Sequence, residues 1–285
     1  MYYRQGRRCT ENSLLLDVGG NVGWYSGFFV ANGCRTITVE AQTFAYAMIM
    51  ATMELNLKEP SQCAEVWNRA VTSGSQMVTM SGNTAWKGGN SIILDSELTL
   101  RDSELTLRTV DTVEVQGIAL DVLLRTSGLV KGILRHFTRV SVPLIKIDIE
   151  GSEMHALEGI SRLLHSEDYD CGAIFVELHS DDWFARSGFT KDRSLRVFQT
   201  FFSKGYCLRE VRYSECCKGP YKNKLDWPCC LGASEQLWPN WSTWDDVPSD
   251  VLGKVILSST QLSTMFPVRG DFFLSRELCH LPLHE

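Results

Sequence analysis

Leu14-Leu15-Leu16-Asp17-Val18-Gly19-Gly20-Asn21-Val22-Gly23 constrains the fold of this chain more than any other stretch. A short apolar run closed by an acid and a glycine-rich turn reads as a buried strand. Gly19 and Gly23 let the backbone turn sharply and let a ligand touch it. Trp24 to Asn32 then carries apolar residues round a helix, and Thr36-Ile37-Thr38-Val39-Glu40 is β-branched and reads as a second strand. Phe44 to Leu57 has helical spacing, with Ala, Met and Leu as good helix formers. Cys63 to Val71 reads as a third strand. Strand, helix, strand, helix, strand in this order implies a parallel sheet with helices on its faces.

Further on, the pattern predicts strands over Val110–Ala119, Val142–Glu150, Cys171–His179, Tyr206–Tyr213 and Asp271–Ser275. Helices are expected over Leu120–Leu134, Gly151–Leu164 and Asp192–Ser203. Ser73 to Asn90, rich in Gly, Ser and Thr, reads as loop. Asp95–Arg101 is repeated without change as Asp102–Arg108. A period of seven flips faces in a continuous strand, so the copies are two strands joined by a turn or a helix with Glu–Arg pairs at i,i+4. Two copies cannot build a solenoid, and the expected role is a surface insertion. Ser214 to Pro267 holds four tryptophans and the adjacent pairs Cys216-Cys217 and Cys229-Cys230. The expected organisation is one domain over 1–285, with insertions at 91–109 and 214–267.

With 285 residues, 44% of them hydrophobic, the chain has enough apolar surface to fold without a metal or disulfide. A formal charge of −6 argues against nucleic acid as a partner, since capturing phosphates needs a basic surface. No run of about 18 apolar residues is present, so no membrane-spanning helix is expected. The start, Met1 to Arg8, is basic without an apolar stretch behind it and does not read as a signal peptide. It lies close to the first motif, which suggests a chain short of an N-terminal segment. The ten cysteines could be reduced structural thiols, a disulfide framework or a metal site. The spacing does not match zinc, and reduced thiols in the cytosol are the expectation over a secretory lumen. The sequon Asn240-Trp241-Ser242 fits a lumen but arises often by chance.

Glu40 ends the second strand about 20 residues beyond the turn, where a carboxylate can accept both hydroxyls of a ribose. The spacing Asp-x-Gly-x-x-x-Gly departs from the Gly-x-Gly-x-x-Gly that serves a pyrophosphate, and an acid just before the turn repels phosphate. The combination suits S-adenosylmethionine, which carries an amino group and no phosphate. The alternative is a tight βα turn with a surface acid. In Lys146-Ile147-Asp148-Ile149-Glu150-Gly151-Ser152-Glu153, alternation puts Lys146, Asp148 and Glu150 on one face. Charges in a mid-sheet strand must be paired or line a crevice, so a purely structural Lys–carboxylate pair stays open. Glu177 and His179 share a face at the end of the following strand, where His179 either packs or takes a proton.

These residues resemble the FkbM family of S-adenosylmethionine-dependent methyltransferases. The matching pieces are Leu14–Ser26, Ile37–Gln42, Ala119–Leu124, Ile145–Ile160, Phe175–His179 and Gly270–Glu277. The resemblance implies a class I methyltransferase (Rossmann-like) α/β fold: a seven-stranded, mostly parallel sheet with helices on both faces and an antiparallel last strand. It implies O-methylation of a hydroxyl on a sugar or natural-product-like small molecule. Asp17, Gly19, Asn21 and Gly23 would hold the methionine part of the cofactor and Glu40 the ribose. Asp148 and Glu150 would line the site beneath the methyl group. The family's Glu-Pro at the second strand is Glu40-Ala41 here. His179 or Asp148 is the candidate base, and Trp24 or Tyr25 could face the sulfonium. Two other readings are a methyltransferase-like binding module without turnover and a nicotinamide oxidoreductase, which would need a phosphate-binding glycine pattern that is missing.

Overall fold

Every residue of Leu14–Val18 is buried, as a central strand covered on both faces requires. The computed structural model describes residues 9–31, 33–57, 63–81, 92–93, 112–178, 188–211, 252–258, 260–261, 270–276 and 279. Its strands are β1 (Leu14–Val18), β2 (Arg35–Glu40), β3 (Ala64–Asn68), β4 (Ala70–Val71), β5 (Met77–Ser81), β6 (Ile92–Ile93) and β7 (Thr112–Ile118). Then come β8 (Val140–Ile147), β9 (Tyr169–Leu178), β10 (Cys207–Val211), β11 (Leu252–Ile256) and β12 (Gly270–Ser275). The helices are α1 (Trp24–Ala31), α2 (Thr43–Asn56), α3 (Leu120–Thr126), α4 (Gly128–Leu134), α5 (Glu153–Leu163) and α6 (Lys191–Ser203).

The main sheet has the order β11-β10-β12-β9-β8-β1-β2-β3. β3, β2, β1, β8 and β9 are mutually parallel, while β12 is antiparallel to both β9 and β10. These seven strands are the mostly parallel α/β sheet expected, with its last strand antiparallel. An eighth strand, β11, is added at the edge against β10, inside the stretch read as an irregular insertion.

The two faces differ. Leu14, Leu16, Val18, Ile37, Ile145, Ile147, Ile174 and Val176 belong to one large core that includes residues of α3, α4, α5 and α6. Leu15, Leu144 and Ala173 lie on the opposite face with Phe29 of α1. α5 carries Met154, Leu157, Ile160 and Leu163 on its buried side, with Arg162 in its last turn, the sign its dipole favours there. Burying each such large apolar side chain contributes roughly 1.5–3 kcal/mol.

Three expectations are corrected. The helix expected over Leu120–Leu134 is two, because Ser127 leaves helical geometry (φ −54°, ψ 135°) and its side chain accepts from Val130 N to start α4. The strand expected over Cys63–Val71 breaks at Arg69: β3 stays in the main sheet, and β4 pairs with β7. Ser73–Asn90 is not all loop, since β5 pairs antiparallel with β7 and β6 in a second sheet of order β4-β7-β5-β6. The duplicated heptad, both adjacent cysteine pairs and the four tryptophans lie outside the described residues. Two disulfides join other cysteines, Cys9 to Cys34 and Cys207 to Cys279, where reduced thiols were expected. No helix among the described residues is long and apolar enough to cross a membrane.

Candidate active site

β2 and β3 lie to one side of β1, and β8 and β9 to the other. Where strand order reverses, the loops at the carboxyl ends part and leave a crevice. A cleft of about 670 Å³, taken to its open mouth, occupies that place. Gly19, Asn21, Glu40, Asp148, Glu150 and Ser152 line it, together with Ala41, Arg69, Ala70, Val71 and Met80.

Backbone bonds tie the loops round the cleft together. Gly19 N donates to Val39 O at 2.8 Å and Asp148 N to Val18 O at 3.0 Å. Gly19 has φ +85°, and a Cβ there would lie 1.7 Å from the Asp148 carbonyl oxygen. Only glycine permits that approach. Glu40 Oε2 accepts from Asn21 N at 2.7 Å and its Oε1 from Gln42 N at 2.8 Å. Each oxygen keeps a further lone pair for a ligand. Burial pushes the Glu40 carboxyl above its ordinary range, against the pull of Gln42, Asn21 and Lys146.

Beneath the cleft runs a row of in-register neighbours. Asp17 sits between Thr38 and Lys146, and Lys146 is next to Phe175. Lys146 is 3% exposed. Its Nζ donates to Gly19 O at 2.6 Å and lies 3.7 Å from Asp17 Oδ1 and 3.4 Å from Asp148 Oδ2. Burial alone would push this ammonium down, but the carboxylates of Asp17 and Asp148 outweigh it and hold it above its usual value. Asp17 Oδ2 accepts from Ser26 Oγ at 2.5 Å. Its carboxyl is pushed up by burial, against Lys146 and Ser26.

The loop after β8 has its own brace. Glu150 takes φ +53° and Gly151 φ +104°, which ends the strand alternation. Glu153, wholly buried, accepts on Oε1 from Gly151 N at 2.8 Å and from Ile149 N at 3.4 Å. Burial pushes its carboxyl up to about 8.

Of the residues expected to bind or react, Gly19, Asn21, Glu40, Asp148 and Glu150 come together in the cleft. Asp17 does not line it: the side chain has no exposed surface and lies against Lys146. Gly23 also stands back, its N–H donating to Gly20 O while its Cα faces Ile49. His179 lies outside the described residues. Trp24 is 61% exposed and lines no part of the cleft. The Tyr25 ring has the protein's own Lys146 ammonium 5.4 Å from its centroid.

Sequence reading missed Arg69, Met80 and Glu153. Glu153 had a signal, an acid in the first turn of a helix behind a Gly-Ser pair. Arg69 had none. It enters the cleft because the chain leaves the main sheet there, and its Nη1 donates to Asn68 O at 2.7 Å. Met80 enters from β5, which read as loop. Among the described residues no group of three or more His, Cys, Asp or Glu is placed to hold a metal ion.

The donor set favours a nucleoside without phosphate. Three acids, Glu40, Asp148 and Glu150, line the cleft, Lys146 beneath the glycine turn is committed to a carbonyl and two carboxylates, and Arg69 in the lining donates to the backbone of Asn68. A model of the methyltransferase FkbM domain matches residues 17–207 of the chain. Among solved structures, the O-MT segment of StiE (residues 942–1257) is similar at a TM-score of 0.35 and 8% identity, covering 92% of this chain and 68% of that one. No curated protein matches the chain.

Proposed function

The chain belongs to the FkbM methyltransferase family, and from that premise we propose that it moves a methyl group from S-adenosylmethionine to a hydroxyl of a sugar or natural-product-like small molecule. The observation that carries the reading is the convergence of Gly19, Asn21, Glu40 and Asp148 on one cleft. Glu40 would accept the ribose hydroxyls, while the Gly19–Asn21 turn and the Asp148–Glu150 loop would hold the methionine end. Asp17 and Gly23 would act from behind, by fixing the turn. Bound there, the cofactor would supply a methyl group already activated for displacement.

The residues then have two tasks, alignment and proton removal. Holding two reactants in line can contribute several kcal/mol, up to about 10. A hydroxyl is a poor nucleophile, and a positioned base adds roughly 10²–10⁴ in rate. Asp148 lines the cleft and would take the acceptor's proton on the carboxylate oxygen that does not face Lys146. His179 is the other candidate for that proton. Lys146 holds Asp148 in place and stays cationic through the neutral range, so it offers no basic lone pair.

Calorimetric titration with S-adenosylmethionine and S-adenosylhomocysteine tests the reading. Charge-assisted bonds are worth roughly 1.5–3 kcal/mol each, so Glu40→Ala is expected to weaken binding tenfold or more. Unchanged affinity in a folded Glu40→Ala variant removes the ribose assignment. No binding by the folded wild type removes the cofactor and leaves a binding module without turnover.

A further inference from the structure

We infer that this protein matures in an oxidising compartment, where two structural disulfides clamp the end of the sheet opposite the cleft, and that it meets its acceptor there. The second half rests on the methyltransferase reading; the first does not.

The two bonds are independent of each other and remote from the chemistry. Cys9 precedes β1 and Cys34 immediately precedes β2, so their bond joins the amino ends of two neighbouring central strands. Cys207 is the first residue of β10. β10 is antiparallel to β12, and β12 is antiparallel to β9, so β10 runs in the direction of β9. The bond from Cys207 to Cys279, just past β12, therefore also sits at the amino ends of the parallel strands. The cleft opens at their carboxyl ends. Neither pair lines it, so neither is placed to exchange electrons with a substrate.

Burial and separation fit a structural role. Cys34 is 1% exposed and Cys207 0%. The Cα atoms stand 5.2 and 5.5 Å apart, within the span a disulfide bridges. The bonds close stretches of 25 and 72 residues, and loops of that length give a crosslink a large effect on the unfolded chain. The described cysteines that stay free are Cys63 and Cys171. Burial pushes the Cys171 thiol up to about 12, so it is a poor rival in thiol exchange.

Each bond forms when two thiols lose two protons and two electrons. A disulfide-bearing oxidant, a protein oxidoreductase or a small-molecule disulfide, takes the electrons and leaves as a dithiol or two thiols. A reducing cytosol drives this exchange backwards, and stable non-catalytic disulfides belong to secretory, periplasmic or extracellular proteins. The expectation of reduced thiols in the cytosol gives way to this placement.

The test is thiol trapping on the full chain in the cells that make it. A membrane-permeant maleimide is added before lysis, and the peptides are mapped by mass spectrometry with and without reduction. Cys9, Cys34, Cys207 and Cys279 should resist labelling until reduced and should appear as two linked peptide pairs. Labelling of these four before reduction overturns the inference. On purified protein, reduction should lower the Tm by on the order of 10 °C, and an unchanged Tm also counts against it. Neither readout involves the cofactor, so loss of S-adenosylmethionine binding would sink the methyltransferase reading and leave the disulfides untouched.

Discussion

Lys146 shows how much of this site is held by one buried side chain. At 3% exposure an unpaired ammonium would lose its charge. It keeps the charge because register in the sheet sets Asp17 beside it and chain order sets Asp148 two residues on. Its bond to Gly19 O then carries the geometry of that network to the glycine turn. Breaking a buried pair from one side leaves the partner charged and unsatisfied, at about 3–5 kcal/mol. Lys146→Met should destabilise the fold by that amount in urea denaturation. Adding Asp17→Asn should recover part of the loss, because the stranded carboxylate is gone. If the double variant is as unstable as the sum of the singles, the two groups are not coupled. The sequence put Lys146 and Asp148 on one face and left open whether they pair or line a crevice. The structure answers differently for each residue: Lys146 pairs below, and Asp148 both pairs and lines the cleft. Asp17 could not be placed from the sequence, because its distance from the cleft depends on which strand lies beside it.

Between elements, the decisive contact is the near collision of the β1–α1 turn with the β8–α5 loop. Gly19 and Gly33 both have positive φ, +85° and +81°, but only Gly19 has a neighbour in the way. At Gly33 a Cβ would meet nothing within 4 Å. Gly33→Ala should therefore cost only the left-handed conformation, about 1–2 kcal/mol, and leave cofactor affinity unchanged. Gly19→Ala must also push the two loops apart, and should weaken S-adenosylmethionine binding tenfold or more on top of a lowered Tm. Equal effects of the two on calorimetric affinity would show that the loop contact does not shape the site. The elements that set this contact were legible because β1 opens on an apolar run, β2 is rich in β-branched residues and β8 is mostly aliphatic, and most of their residues are buried. The small sheet was not. β5 is Met-Val-Thr-Met-Ser, with Met77 59% exposed. Its strand character comes from pairing with β7 more than 30 residues away, and non-local pairing leaves little trace in local propensity. The break at Ser127 did have a local signal, a capping residue before Gly128, hidden inside an apolar stretch that read as one helix.

At the scale of the whole molecule, three buried acids at the carboxyl ends of the central strands, Asp17, Glu40 and Glu153, are all pushed up by burial. Most folded proteins gain stability as their carboxylates ionise. Here Glu153 works the other way. Its carboxyl moves from 4.5 to about 8 on folding, so between those values the folded state holds a proton that the unfolded state has released. The contribution is complete below pH 4.5 and disappears as pH rises through about 8. A shift of this size corresponds to on the order of 5 kcal/mol. Lys146 does not blur the signal, since its own value lies above the ordinary lysine range and it stays charged throughout. Glu153→Gln keeps an oxygen to accept from Gly151 and Ile149 but cannot ionise. In denaturant titrations from pH 5 to pH 9, wild type and variant should be close at pH 5 and diverge upward from there, with the variant the more stable at pH 8. Calorimetric affinity for S-adenosylmethionine, measured on both at the same points, should fall only in the wild type, because an ionised Glu153 loosens the loop that carries Asp148 and Glu150. Stability curves that run parallel across the range would mean that the folded protein holds Glu153 charged, and that the loop owes its shape to its backbone bonds alone.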